Sequence, residues 1–256
     1  MITSTRHPRV QAVRRLHRRS ARVAERRFVV EGPQAVREAL TALEELFVLD
    51  VDHPLALAAA QAGVTVTPVD AKVLGALAET ATPQGLVGVA PLLEPGLGVL
   101  EGARLVVVLH EANDPGNAGT VIRTADAAGA DAVVLTAGSV DPHNGKCVRA
   151  TAGSLWHLPV VHGVALADVL VALRGSGLHV LATSGAGDDD LDDLQDTGVL
   201  VQPTAWLLGS EAHGLPPEVL AQADRTVRIP LRGRAESLNL ATAAAVCLYA
   251  SARAQR

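Results

Sequence analysis

The sequence predicts an α/β protein in two parts, a small N-terminal α/β domain followed by a larger domain built on a mostly parallel sheet. Three observations carry this expectation. Apolar residues make up 48% of the chain but aromatics only 2%, and a palette of Ala, Val and Leu suits helices packed on buried parallel strands. Short apolar runs alternate with helical patterns along the whole length. A Pro- and Gly-bearing stretch, PLLEPGLGVLEG, lacks either periodicity and separates the two halves. At 256 residues the chain exceeds the usual size of one domain. The boundaries drawn from these signals are 1–95, a linker at 96–103, and 104–256.

The first 27 residues carry nine arginines (Arg6, Arg9, Arg14, Arg15, Arg18, Arg19, Arg22, Arg26 and Arg27) against the single acid Glu25, although the whole chain has a net charge of −5. An Arg-rich codon preference explains why Lys72 and Lys146 are the only lysines, and a solvated helix explains part of the arm. Neither explains the clustering, which points to nucleic acid. Beyond the arm, FVVE, ELFVLD, VTVTPV and LVGVA read as short strands, separated by helical patterns such as PQAVREALTAL and HPLALAAAQAG.

The second domain opens on the continuously apolar strand Leu105 to Leu109, followed by the polar loop HEANDPGNAG and a helix in which Ala118, Val121, Ile122, Ala125 and Ala128 recur at helical spacing. Arg123 falls on the opposite face, where simple solvation is the ordinary role. Further strands are expected at Ala132 to Thr136, Leu178 to Thr183, Ala205 to Gly209 and Thr226 to Pro230. Ligand sites in such sheets form at the carboxyl edge, and three strand ends look built for one: Thr136 to Ser139, Gly209 to Gly214, and Ile229 to Leu231. Turn formation alone accounts for each of them singly. The chain then enters an Ala-rich helix at Ser237, Leu238 and Asn239, whose free amide N–H groups suit either a ligand or an ordinary cap.

Several function classes lose support. Gly185 and Gly187 begin a GxGxxG pattern, but Asp190 stands where its last Gly belongs, and no phosphate-binding GxxxxGK[ST] occurs. Asp188, Asp189, Asp190, Asp192 and Asp193 are read as a solvated loop rather than a hard-cation site. His110, His143, His157, His162 and His213 are too scattered for a metal centre, so no metal is expected. Cys147 and Cys247 match no metal or redox spacing and are read as reduced thiols of a cytosolic protein. The basic N-terminus has no apolar run behind it, and no stretch reaches the roughly 18 residues of a membrane span, so a cytoplasmic location is expected.

Taken together, NAGTVIRTADAAGA, LLGSEAHGLP and IPLRGRAESLNLATAAAVCLY resemble, in order and spacing, the three motifs of the SpoU (TrmH) RNA ribose methyltransferases of the SPOUT superfamily. The N-terminal RHPRVQAVRRLHRR, FVVEGPQAVREAL and TPQGLVGVA are similar to the substrate-binding domain often fused to them. The resemblance covers nearly the whole chain. It implies a SPOUT domain tied into a deep trefoil knot, a homodimer, and S-adenosylmethionine as cofactor, with no metal. The reaction implied is methyl transfer to a ribose 2′-hydroxyl of RNA, with 23S rRNA favoured over tRNA. A catalytically silent RNA-binding protein and a Rossmann enzyme acting on a small metabolite are the competing classes.

Matched residue by residue, the motifs place Asn117, Arg123, Glu211, Ser237 and Asn239 in the catalytic set. They place Thr136, Gly138, Leu208, Gly209, Glu211, Gly214, Ile229, Leu231, Ser237, Leu238 and Asn239 around the cofactor. An Arg stays protonated in nearly all contexts, so Arg123 is expected to clamp a phosphate and stabilise the developing alkoxide more than to remove a proton. Arg6, Arg9, Arg14, Arg15, Arg18 and Arg19 are expected to hold RNA, as is Arg149, for which plain surface exposure is an equal reading.

Overall fold

The computed structural model describes residues 1–256. Two units divide the chain: Met1–Leu93 with His143–Trp156, and Glu94–Pro142 with His157–Arg256.

In the first unit, helix α1 (Pro8–Arg15) starts where His7 accepts the Arg9 N–H and Pro8 presets the backbone, and it buries Val10 and Val13. Helix α2 (Arg19–Glu25) ends on Arg26 at φ 53° and leads into strand β1 (Arg27–Glu31). Then come α3 (Pro33–Ala39), β2 (Glu45–Val48), α4 (Pro54–Gln61), β3 (Thr65–Pro68), α5 (Ala71–Leu77) and β4 (Leu86–Pro91). The sheet order is β1-β4-β2-β3, with β4 antiparallel to both neighbours and β3 parallel to β2. Val10, Val13 and Leu16 pack with Phe47, Leu74, Leu77, Val87 and Val89 as its core.

The second unit is a seven-stranded, wholly parallel sheet in the order β7-β6-β5-β10-β8-β11-β9. Its elements are β5 (Leu105–Leu109), α6 (Pro115–Ala128) and β6 (Ala132–Thr136), then, beyond α7 (Gly145–Thr151), β7 (Val160–Val164), α8 (Leu166–Gly175), β8 (His179–Thr183), β9 (Asp189–Asp190) and α9 (Leu191–Asp196). It closes with β10 (Thr204–Leu208), α10 (Pro217–Leu220), β11 (Arg225–Arg228) and α11 (Leu240–Ala254). One sheet face, including Val106, Val108, Val134, Val180 and Leu207, packs on Val169, Leu170 and Leu173 of α8. On β10, Trp206 is fully buried and its Nε1 donates to Ser251 Oγ of α11 at 2.9 Å, which pins that helix to the sheet.

Two segments take part in the packing of these units. Residues 96–103 are not a bare linker: Leu97–Leu100 form a 3-10 turn whose Leu100 is fully buried in the second unit's core. Residues 143–156, which lie within the expected 104–256 stretch, pack as part of the first unit. There the Phe28 ring lies 4.6 Å from His143 and 6.0 Å from Trp156. Arg149 Nη1 reaches Glu31 Oε2 at 3.1 Å and Glu79 Oε2 at 3.3 Å, and Glu31 is only 6% exposed. Burial makes such a carboxylate depend on partners. Glu31 also accepts the N–H groups of Glu79 and Thr80 and the Thr80 hydroxyl.

The acidic run is likewise more ordered than a solvated loop. Asp189 and Asp190 form β9 beside β11, and Asp190 caps α9 by accepting the Asp192 N–H. Arginines neutralise the run: Arg225 pairs with Asp189, Arg228 with Asp190 and Arg232 with Asp192, at 3.2, 3.3 and 2.9 Å.

Candidate active site

The sheet order decides where a site forms. Strands β8, β10 and β11 are neighbours, so the loops leaving their carboxyl ends converge. They enclose a cavity of about 640 Å³ with Leu208 to Leu215, Thr183 to Gly185, and Ile229, Leu231 and Glu236 to Leu240 among its walls. That size falls in the range of roughly 300–1,000 Å³ usual for small-molecule sites. Leu208, Ile229, Leu231, Leu238, Leu240 and Ala243 give it an apolar lining, while Ser184, Ser210 and Ser237 add hydroxyls.

Backbone closeness shapes the middle loop. A Cβ on Gly209 would run into the carbonyl of Gly214 and the N of Leu215, so only Gly permits the chain to fold back there. The turn closes with the Gly214 N–H donating to Ser210 O at 2.9 Å, and Gly214 sits at φ +65°.

Three side chains from three elements meet at the cavity lip. Helix α6 begins with Asp114, whose carboxylate accepts the Asn117 N–H at 2.8 Å. Asn117 Nδ2 then donates to Glu211 Oε1 at 3.0 Å, and Asn117 Oδ1 accepts from Asn239 Nδ2 at 3.0 Å. Asn239 is the N-cap of α11, its Oδ1 accepting the N–H groups of Ala241 at 2.9 Å and Thr242 at 3.4 Å. Ser237 does not cap the helix and instead lines the cavity. Glu211 also accepts the N–H groups of Asn113 and Asp114, at 3.2 and 3.4 Å. Partial burial pushes the Glu211 carboxyl up, but the hydrogen bonds from Asn117, its own backbone, Asn113 and Asp114 together hold it below the usual carboxylate range. It stands ionised and fully engaged.

Of the cofactor residues expected from sequence, the structure gathers Leu208, Gly209, Glu211, Gly214, Ile229, Leu231, Ser237, Leu238 and Asn239 at this cavity, with Asn117 beside them. Thr136 and Gly138 are elsewhere. They end β6, and β5 stands between β6 and β10. The third strand end is that of β8: Thr183, Ser184 and Gly185 line the cavity. Their signal was present in the sequence, since Gly185 follows a strand. Arg123 also lies outside the wall. It is exposed on α6 and has no hydrogen bond or ion pair.

The arginines of the arm divide in two. Arg9 pairs with Glu45 and Thr67 and sits over the Phe47 ring, and Arg15 pairs with Glu25 at 3.4 Å. Arg22 is buried and holds the carbonyls of Leu16 and His17. Arg149, expected to hold RNA or to be plainly exposed, is ion-paired with Glu31 and Glu79. Arg6, Arg14, Arg18 and Arg19 remain exposed without a partner.

Known proteins are similar to this chain in sequence and architecture. Residues 104–249 match the SpoU rRNA Methylase family, and residues 7–88 match the MRM3-like substrate binding domain. A 23S rRNA (guanosine(2553)-2′-O)-methyltransferase of Bacillus subtilis is 34% identical over 97% of each chain. A crystal structure of an AdoMet-bound rRNA methyltransferase from Sinorhizobium meliloti has a TM-score of 0.88 at 33% identity, covering 98% of this chain and 97% of that one. The SpoU methyltransferase AviRb of Streptomyces viridochromogenes, in complex with AdoMet, has a TM-score of 0.84 at 29% identity over 97% of this chain and 98% of that one. The chain belongs to the SpoU rRNA Methylase family.

Proposed function

We infer that this chain transfers the methyl group of S-adenosylmethionine to a ribose 2′-hydroxyl of RNA, with 23S rRNA as its substrate. The carrying observation is the cavity at the ends of β8, β10 and β11, closed at its lip by the hydrogen-bonded set of Asn117, Glu211 and Asn239. A cofactor with an adenine, a ribose and an amino-acid tail fits these walls. Leu208, Ile229, Leu231 and Leu238 suit the flat base, while the hydroxyls of Ser184, Ser210 and Ser237 and the loop backbone suit the polar groups.

When bound, the cofactor supplies an electrophilic methyl group on a sulfonium. The protein's own task is alignment. Positioning two bound reactants is worth roughly 7–11 kcal/mol, whereas a general base typically contributes about 10²- to 10⁴-fold. Glu211, held ionised by its donors, ties the start of α6 to the middle loop. Asn239 ties the start of α11 to the same point, so one network fixes two cavity walls. Arg123 reaches substrate rather than cofactor in this reading. Its unpaired guanidinium clamps the RNA phosphate and stabilises the negative charge that builds on the 2′-oxygen as its proton passes to water, while the methyl group is taken up and the thioether S-adenosylhomocysteine leaves.

Arg6, Arg14, Arg18 and Arg19 supply the cations that hold RNA. The protein acts as a homodimer in the cytoplasm. In support of the dimer, Tyr249 and Val246 of α11 are 51% and 38% exposed beside Leu231 at 39%. The deep trefoil knot belongs to the same reading, which rests here on family resemblance. No helix is long and apolar enough to cross a membrane.

Calorimetry with S-adenosylmethionine and methyl-transfer assays on the Arg123→Ala variant test this assignment. The variant should lose most turnover while binding the cofactor with nearly unchanged affinity. Loss of cofactor binding would move Arg123 to the cofactor instead.

A further inference from the structure

The strand end that fails to reach the cavity has its own geometry. Thr136 is 1% exposed, and its hydroxyl lies 3.0 Å from His110 Nδ1, accepts the Glu111 N–H at 3.4 Å and faces Ala137 O at 3.4 Å. Two residues on, Gly138 adopts φ +89°, and a Cβ there would come within 3.2 Å of Glu111 Cγ. Ser139, 8% exposed, donates its hydroxyl to Leu109 O at 3.2 Å, and the Val140 N–H donates to Ala112 O at 2.8 Å. Together these interactions grip the loop that leaves β5.

That loop is strained and directly connected to the site. Glu111 sits at φ 53°, a left-handed conformation unfavourable for a residue with a Cβ. Something must hold it there, and its own carbonyl accepts from Asn113 Nδ2 at 2.9 Å. Beyond Ala112, the N–H groups of Asn113 and Asp114 donate to Glu211 at 3.2 and 3.4 Å. We propose that the β6 turn from Thr136 to Ser139 is a template for the 110–114 loop, with Thr136 as a positioning residue that presents the Asn113 and Asp114 N–H groups to Glu211. Gly138 serves the same template by leaving room for Glu111. The Gly-bearing strand end that resembles a cofactor loop in sequence thus acts one step away from the cofactor.

The inference rests on the methyltransferase reading for its kinetic arm only, because the Glu211 carboxylate can be followed in the cofactor-free protein. The experiment compares Thr136→Val, which keeps the shape and deletes the hydroxyl, with Thr136→Ser, which keeps the hydroxyl. The Glu211 carboxyl is titrated by carbon NMR, cofactor affinity is measured by calorimetry, and single-turnover methyl transfer is measured at saturating S-adenosylmethionine. Thr136→Val should raise the pH at which Glu211 titrates, since two of its donors are no longer held in place. It should slow transfer about tenfold or more while cofactor affinity stays within about threefold, as expected for removal of a buried hydroxyl with charged consequences. Thr136→Ser should restore both readouts.

An unmoved Glu211 titration in Thr136→Val overturns the template. So does a tenfold loss of cofactor affinity with unchanged transfer at saturation, which would make Thr136 a cofactor ligand. A failure of the methyltransferase reading has a different signature, with Glu211 responding to the substitutions and no methyl transfer in any protein, wild type included.

Discussion

Asn239 holds two jobs that one pair of substitutions separates. Its Oδ1 caps α11 through Ala241 and Thr242, and its Nδ2 donates to Asn117 Oδ1 at 3.0 Å. Asn239→Ala removes both. The missing cap costs about 1 kcal/mol and the missing side-chain hydrogen bond about 1 kcal/mol more, so unfolding should be easier by about 2 kcal/mol. Asn239→Asp keeps the cap, and a negative charge at a helix start is favourable, so it should lose no more than the about 1 kcal/mol of the missing side-chain hydrogen bond. Its carboxylate cannot donate to Asn117, however. Whichever way the Asn117 amide then turns, its oxygen meets a carboxylate, either the new one or Glu211. A hydrogen bond to a charged group is worth about 1.5–3 kcal/mol, which corresponds to roughly a ten- to hundredfold loss of turnover. Urea denaturation and methyl-transfer assays on the two variants give the comparison. A fully active Asn239→Asp enzyme would refute the network and leave Asn239 as a cap alone.

Four further outcomes are expected. Gly209→Ala should abolish cofactor binding in calorimetry and cost about 1–3 kcal/mol of stability, because the new methyl meets the Gly214 backbone; unchanged affinity would mean that the 209–214 turn is not a cofactor wall. Glu211 titrates below its ordinary value of 4.5, so its stabilisation is present above that value and disappears as pH falls through the lower folded-state value. The stability difference between wild type and Glu211→Gln should therefore shrink on acidification from about pH 7 to below about pH 4 in denaturation series, and a difference that grows would contradict a lowered Glu211 value. Arg149→Ala should destabilise the first unit by about 2 kcal/mol, discounted for partial exposure, and leave the salt dependence of RNA binding intact. A double Arg14→Ala and Arg18→Ala variant should instead flatten the dependence of log K on log salt by about 0.7 for each phosphate no longer neutralised. Equal effects of the two substitutions on that slope would contradict the division of the arginines.

The long apolar strands were legible in sequence because burial on both faces leaves no polar interruption: Leu105 to Leu109 and Ala132 to Thr136 form strands with those limits. Strand β7 was hidden because His162 and Gly163 break its apolar run, and β9 because two aspartates carry no strand signal and pair only through their backbone with β11. The placement of residues 143–156 in the first unit had no local signature, since it depends on Phe28, Glu31 and Glu79 far away in sequence. The same limit applies at the site. Thr136 to Ser139 and Thr183 to Gly185 are both polar strand ends, and only the lateral strand order tells which of them stands beside β10. Asn117, Glu211 and Asn239 were identified by motif, but their mutual hydrogen bonds span 94 and 122 residues and belong to the fold.

The most direct test of the central claim is to incubate the purified protein with radiolabelled S-adenosylmethionine and 23S rRNA, digest the RNA with alkali and size the labelled products. A methyl on the ribose 2′-oxygen blocks cleavage at the next phosphodiester, so the account expects label in alkali-resistant dinucleotides. Label in mononucleotides would place the methyl on a base and contradict it, as would RNA that acquires no label.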